Sequence, residues 1–497
     1  MTRVALVHSP PHGEVPFRSI GLGYLQAAIE RAGHDATTID LSMEEDRAGT
    51  DFYQAYILYL SERVGAMGDG PDPRILMQVT HPELFPELLP ISRVILDKVD
   101  QHYERVQAAG EVFLFTLNAL TQYFASALAM KLKKAGRRTA AGGPALTFEP
   151  LGRLLLGAGV FDAVVQGEGD GVIAPLVDAL AARKTARLPG VSWLEEGSIT
   201  GLPPGPPIDL DALPRPSFRG TLIRDFVPIL ASRGCPHKCS YCSEPSHWPV
   251  YRFRSAEQVV AEMEWGAREY HDSNFHFHDD LINGNTPWLD RFTSVLIERK
   301  HGFRWESFCS PDGLTPERLD AMRRSGCVLL KLGVQSFAPH VLHSMRRGQN
   351  VEFVKTAILA AIRSGISMHY DMLTCFPTET EEDHRLNLQT IEEIYAESRD
   401  VYFSPNPFYL SLGSETMLQP SAYGITLVAF DPHTLPGKAA ALVENAGSFP
   451  VSFTYGLPRE TVMRRLSELG ELLKKYNKDY LYLGKTKQDH GPPRQPV

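Results

Sequence analysis

Six strand-like apolar segments alternate with helix-patterned ones in the second half of the chain, and this alternation constrains the fold more than any other feature. The segments are Val227–Ser232, Phe275–His278, Trp305–Cys309, Val328–Val334, Met368–Thr374 and Val401–Phe403. Between them the helical pattern runs from Ser255, then over Thr286–Arg299, Pro316–Ser325, Val351–Ser364 and Glu381–Ile394. Ser255 and Gln258 have capping-box spacing ahead of Val259, Val260 and Met263. Strands separated by helices return parallel to one another, so the pattern predicts a partial (β/α)6 barrel. In such a barrel the chemistry belongs at the C-terminal strand ends.

A similar rhythm opens the chain. Val4–His8 reads as a strand, Gly21–Arg31 as a helix and Ala36–Leu41 as a second strand. After a helical insertion at about 43–106, strands at Glu111–Thr116, Arg138–Ala141 and Ala163–Gln166 resume it, with a helix over Phe124–Ala135. This half predicts a doubly wound, Rossmann-like sheet whose ligand sits at the carboxyl ends of the strands. The expected organisation is therefore α/β throughout: a first domain at 1–197, a linker at 198–217, the barrel at 218–417 and a mostly helical extension at 418–497. Gly201–Ser217 holds six prolines, too many for a helix or a central strand. In the extension, Arg459–Tyr476 reads as a helix and Gly491–Val497 as a loose tail.

Composition narrows the partners. The 497 residues suffice for two or three domains, with 43% hydrophobic and 22% charged residues. A net charge of −9 without a basic run predicts neither a nucleic-acid nor a membrane partner. No stretch reaches the roughly 18 apolar residues of a membrane span. Six cysteines in so long a chain predict a reducing, cytoplasmic setting without a disulfide framework.

Three of those cysteines, Cys235, Cys239 and Cys242, fall within eight residues directly after the first barrel strand. Three thiolates can hold three irons of a four-iron, four-sulfur cube and leave the fourth open to a small ligand. Zinc is the rival, and it asks for a fourth ligand, usually in separated pairs. Cys309, Cys327, His237 and His247 are the available completions, and none has paired spacing. Elsewhere, His276 and His278 share one strand face and allow a metal pair. Asp279 and Asp280 end a strand, either as a cap or as catalytic or cofactor-facing acids. Cys309 and Cys327 read as small core residues.

The cysteine spacing, with Tyr241 before the last thiol, resembles the radical S-adenosylmethionine superfamily, and the resemblance extends from Phe218 to about Met417. Phe277-His278-Asp279-Asp280 is similar to its second-strand motif. Trp305–Asp312, Gly326-Cys327 and Gly333-Val334-Gln335-Ser336 are similar to the third- and fourth-strand motifs, and Phe376–Asp383 to the fifth. The resemblance implies cofactor contacts by Tyr241, Ser307, Gln335 and Ser336 and catalytic positions at Asp279 and Asp280. Ser310, Gln335 and the residues Phe376 and Thr378 around Pro377 depart from the pattern. These departures bear on the ribose and methionine-carboxylate contacts and not on the cluster.

The first domain resembles the cobalamin-binding domain of one subgroup. Thr116-Leu117-Asn118, Gly142-Gly143-Pro144 and Gly167-Glu168-Gly169 each follow a strand, where glycines let backbone approach a large ligand. The implied contacts are Thr116, Asn118, Gly142, Gly143, Gly167 and Glu168; turns, or a domain that has lost its cofactor, are the alternatives. The Asp-x-His-x-x-Gly motif is missing, and neither His8 nor His12 has its spacing, so no axial histidine is expected. The resemblance implies a 4Fe–4S cluster, S-adenosylmethionine and cobalamin, with an external one-electron reductant of the flavodoxin or ferredoxin type. It implies methylation of an unactivated carbon or phosphorus in a small-molecule or peptide substrate. Cyclisation or rearrangement without methyl transfer is the enzymatic alternative, and a non-catalytic iron–sulfur scaffold or sensor the alternative of another class.

Overall fold

The computed structural model describes residues 1–11, 19–42, 51–62, 70–221, 226–398 and 401–476. His12 and the tail at 491–497 lie outside them.

The first sheet has the order β2-β1-β3-β4-β5-β6-β7. Its strands are β1 (Arg3–His8), β2 (Asp35–Asp40), β3 (Val112–Thr116), β4 (Arg138–Gly142), β5 (Ala163–Val165), β6 (Val191–Glu195) and β7 (Ser198–Gly201). The first five pair in parallel, and β1 is buried along its whole apolar run, as a sheet covered on both faces requires. Helices Ile20–Arg31 and Ile173–Ala181 cover one face through Leu22, Ile29, Leu176 and Val177. The helices of the insertion, Asp51–Glu62, Pro73–Thr80 and Pro90–Ala109, cover the other through Phe52, Leu76 and Ile95. The strand order reverses between β1 and β3, and a doubly wound sheet opens its ligand crevice at that switch. Register sets Leu6 beside Leu114 and Leu114 beside Ala140, on one face of the crevice.

The antiparallel strands β6 and β7 are a feature that the βα rhythm hides. They turn at Glu196-Gly197, both with positive φ, and β7 draws Ser198–Gly201 out of the expected linker into this sheet.

The second sheet has the order β15-β14-β13-β12-β11-β8, all parallel, with β8 and β15 unpaired to each other. It is an open, six-stranded partial barrel of β8 (Val227–Ile229), β11 (Asn274–Phe277), β12 (Arg304–Cys309), β13 (Cys327–Gln335), β14 (Ser367–Thr374) and β15 (Val401–Pro407). The first barrel strand is shorter than its apolar run. The Ala231 amide donates to the Asp279 carboxylate instead of a strand neighbour, and Ser232–Arg233 (β9) pairs antiparallel with Arg252–Phe253 (β10). The expected capping box at Ser255 does not form. The Ser255 amide instead donates to Asp211 of the proline-rich linker, whereas Thr380 and Asp383 make the reciprocal box.

The C-terminal extension carries an antiparallel pair, β16 (Thr426–Ala429) and β17 (Pro450–Thr454), besides its helices. Helix Gly437–Ala446 puts Ala439, Val443 and Ala446 into the core of the first domain. Helix Arg459–Tyr476 lays Leu469 on the barrel, and the ring of Tyr476 stacks on Tyr395 at 4.4 Å. The extension thus straps the two domains together. Among the described residues no helix is long and apolar enough to cross a membrane.

Candidate functional site

A cavity of about 850 Å³ opens where the C-terminal strand ends of the two sheets face each other. Cys235, Cys239 and Cys242 line its barrel side. Burial pushes the Cys235 thiol up to about 11 and the Cys242 thiol up to about 12, so both are protonated until a metal displaces the proton. Among the described residues no three histidine, cysteine or acidic side chains converge on one point as a single ion requires. A cube that meets each thiol at a different corner asks for no such convergence. The loop is held from below: the Ser240 amide donates to the Met345 carbonyl at 3.0 Å, and its hydroxyl to the Ser344 carbonyl at 3.1 Å. Arg347, which the motif reading missed, donates to Cys239 Sγ at 3.6 Å and also to the Gly333 carbonyl. Its only sequence signal is the Arg346-Arg347-Gly348 run after the helix Pro339–Ser344.

The two acids differ in what they can do. The Asp279 carboxylate accepts from the Ala231 amide and, at 2.5 Å, from the Ser232 hydroxyl, so it pins the start of the cysteine loop. Burial raises its carboxyl to about 7 against those donors. Asp280 lies against Glu244, a second residue that the motif reading missed, two positions after Cys242. Burial and then the Asp280 charge raise Glu244 to about 8. Both line the cavity.

Tyr241 and Gln335 line the cavity as well. Gln335 sits at φ 70°, where the register between β13 and β14 shifts. Ser307 and Ser336 do not reach it. Alternation along β12 turns Phe308 toward the cavity, and the buried Ser307 hydroxyl donates to a carbonyl beside it. The Ser336 hydroxyl accepts from the Ala338 amide and caps the following turn.

On the first-domain side, Thr116, Gly142, Gly143, Gly167 and Glu168 line the cavity. Asn118 does not: its side chain accepts from the Leu120 and Thr121 amides, both at 2.8 Å, and shapes the turn. The adjacent glycines are unlike. A Cβ on Gly142 would meet nothing nearer than Val165 at 3.8 Å, whereas one on Gly143 would press on the Leu117 backbone at 2.6 Å. Gly142 therefore leaves a cradle open to a ligand, and Gly143 is required by backbone packing at φ 105°. With Leu6, Leu22, Leu25, Leu114 and Ala140 around it, this wall suits the apolar edge and face of a macrocycle such as a corrin. Among the described residues the wall holds no first-domain histidine, and His8 is turned to Asp40 and Ser42. Glu168 is engaged by Arg252 and Arg233, and Asp170 by Arg233, so this loop latches the domains together.

The barrel floor of the cavity is polar, and His276 and His278 both line it. His276 Nδ1 lies 2.5 Å and Lys331 Nζ 3.0 Å from Glu306, which accounts for His276 without a metal partner. His369 bonds the Ser404 hydroxyl at 2.8 Å. Cys309 and Cys327 are buried in the barrel core, as expected of small apolar residues, and Cys309 also borders the cavity.

Comparison with known proteins agrees with this geometry. Residues 229–391 match the Radical SAM superfamily. An uncharacterised methyltransferase of Pyrococcus horikoshii is 29% identical over 49% of this chain and 55% of its own. The anaerobic magnesium-protoporphyrin IX monomethyl ester cyclase of Rubrivivax gelatinosus is 29% identical over 48% of this chain and 45% of its own. The chain spans about half the length of these curated relatives. Among solved structures, the radical S-adenosylmethionine methyltransferase TsrM of Kitasatospora setae, with cobalamin and a [4Fe–4S] cluster bound, superposes with a TM-score of 0.65. That match covers 95% of this chain and 89% of TsrM at 16% identity, which shows a shared fold across both domains.

Proposed function

We propose that this chain, a Radical SAM superfamily domain behind a Rossmann-like domain, is a cobalamin-dependent radical S-adenosylmethionine methyltransferase acting on an unactivated carbon or phosphorus. One observation carries the reading: the three cysteines and the open cradle at Gly142 line the same cavity from opposite domains.

Cys235, Cys239 and Cys242 would hold the cluster, and the wall around Gly142 would hold cobalamin. When bound, the cluster supplies the electron that opens S-adenosylmethionine, and cobalamin supplies the methyl carrier. The chain's own residues position and exclude. Asp279 fixes the start of the cysteine loop, and Ser240 fixes it between Cys239 and Cys242. Phe308 and Tyr241 present aromatic surface, and Gln335 a hydrogen-bonding amide, to what lies beside the thiols. Arg233 and Arg252, bound to Glu168 and Asp170, hold the two domains together at the edge of the cavity. The substrate is read as a small molecule or peptide, and the reductant as a flavodoxin- or ferredoxin-type protein. The likeness to the cyclase supports a second reading, ring formation without methyl transfer.

Anaerobic reconstitution with iron, sulfide and cobalamin tests the proposal. Wild-type protein is expected to bind both groups and form 5′-deoxyadenosine from S-adenosylmethionine under reduction. The triple Cys235→Ala, Cys239→Ala, Cys242→Ala variant should lose iron and cleavage while keeping cobalamin. Zinc without iron in the wild type would overturn the cluster. Iron without any cleavage would point to a scaffold or sensor, and cleavage without cobalamin uptake would favour a vestigial first domain.

A further inference from the structure

Among the described residues Arg347 is the cation that contacts the Cys239 thiol, and its position is built rather than incidental. The cysteine loop rests on the end of the helix Pro339–Ser344 through both bonds of Ser240. Three residues further on, the Arg347 guanidinium reaches back with one nitrogen 3.6 Å from Cys239 Sγ and the other on the Gly333 carbonyl. Gly333 itself leaves the room: a Cβ there would meet the Gln335 amide at 2.8 Å and Arg347 at 3.5 Å. The guanidinium also acts on Cys235, where Asp280 opposes it.

We propose that Arg347 is a positioning residue that sets the reduction potential of the cluster by donating its charge and an N–H to the Cys239 sulfur. The inference rests on the reading that the three cysteines hold a 4Fe–4S cluster. Reduction moves one electron from an external donor into the cluster, adding one negative charge without breaking a bond or moving a proton. A cation against a ligand sulfur stabilises the reduced form more than the oxidised one, and hydrogen bonds to the sulfurs act in the same direction. Its removal therefore makes the cluster harder to reduce.

The test is a dithionite titration of the reconstituted protein, followed by electron paramagnetic resonance, with iron and sulfide measured on each sample. Arg347→Met and Arg347→Gln are expected to carry wild-type iron and to titrate at a more negative potential. Arg347→Lys, which keeps the charge, should recover part of the shift. Neutral variants with full iron and an unchanged potential overturn the proposal. Folded neutral variants that take up no iron overturn it as well, in favour of a purely structural role. Wild-type protein that takes up no iron removes the cluster reading instead, and that outcome is seen before any variant is compared.

Discussion

Arg233, two residues before Cys235, forms a two-point ion pair with Asp170 of the other domain, at 2.8 and 3.0 Å. It is 7% exposed and Asp170 11%, and the ring of Trp248 lies 5.3 Å from its guanidinium. The pair ties the cysteine loop to the strand-end loop that follows β5. Removing one partner of such a pair leaves a buried charge and costs about 3–5 kcal/mol.

Arg233→Ala should accordingly split thermal unfolding into two calorimetric transitions. The double variant Arg233→Ala/Asp170→Ala should be less destabilised than the single one, because it leaves one uncompensated carboxylate fewer. Equal losses in both would show that the pair does not couple the domains.

Gly142 and Gly143 should separate ligand binding from folding. Gly142→Leu projects into the cavity and is expected to keep a wild-type circular dichroism spectrum and iron content while losing cobalamin uptake. Gly143→Leu presses on the Leu117 backbone from a left-handed position and should fail to fold. Cobalamin bound normally by Gly142→Leu would remove the cradle from the site.

The C-terminal helix is anchored by Arg465, 2% exposed and 3.1 Å from the fully buried Glu379. Glu379 also accepts from Asn387, which in turn receives the Phe337 amide next to the fourth-strand motif. Arg465→Ala should cost about 3–5 kcal/mol in urea unfolding. A loss below 1 kcal/mol would mean that solvent replaces the pair.

His369 predicts acid sensitivity. Burial, and then the Lys331 charge, lower its imidazole to about 4, below its ordinary value of about 6.5. A histidine held neutral contributes stability that is present above the unfolded value and lost as pH falls from about 6.5 through about 4. Between pH 7.5 and pH 5 the wild type should therefore lose about 2 kcal/mol more than His369→Gln. Parallel denaturation curves for the two proteins across that range would contradict this.

The parallel strands of both domains and the helices between the barrel strands were legible because each rests on local periodicity, whereas the antiparallel pair β6 and β7 was not. Thr286–Arg299 starts and ends at the residues expected, the last helix starts at Arg459 as expected, and the three cysteines follow a strand end. Where local rules erred, a distant group had intervened. Asp279 shortens the first barrel strand from 48 residues away, and Asp211 takes the Ser255 amide that a capping box needs. The same holds for the site. Asn118, Ser307 and Ser336 sit in recognisable motifs, yet strand alternation and turn bonds aim them away from the cavity.

Spacing along the chain determined which thiols stand together and which segments become strands, since both depend on neighbours within a turn or two. Only the tertiary structure decided that Arg347 meets Cys239 across 108 positions and that Arg233 meets Asp170 across 63. Contacts at those separations follow from sheet register and domain packing, which a charged side chain's own neighbours in the chain do not encode.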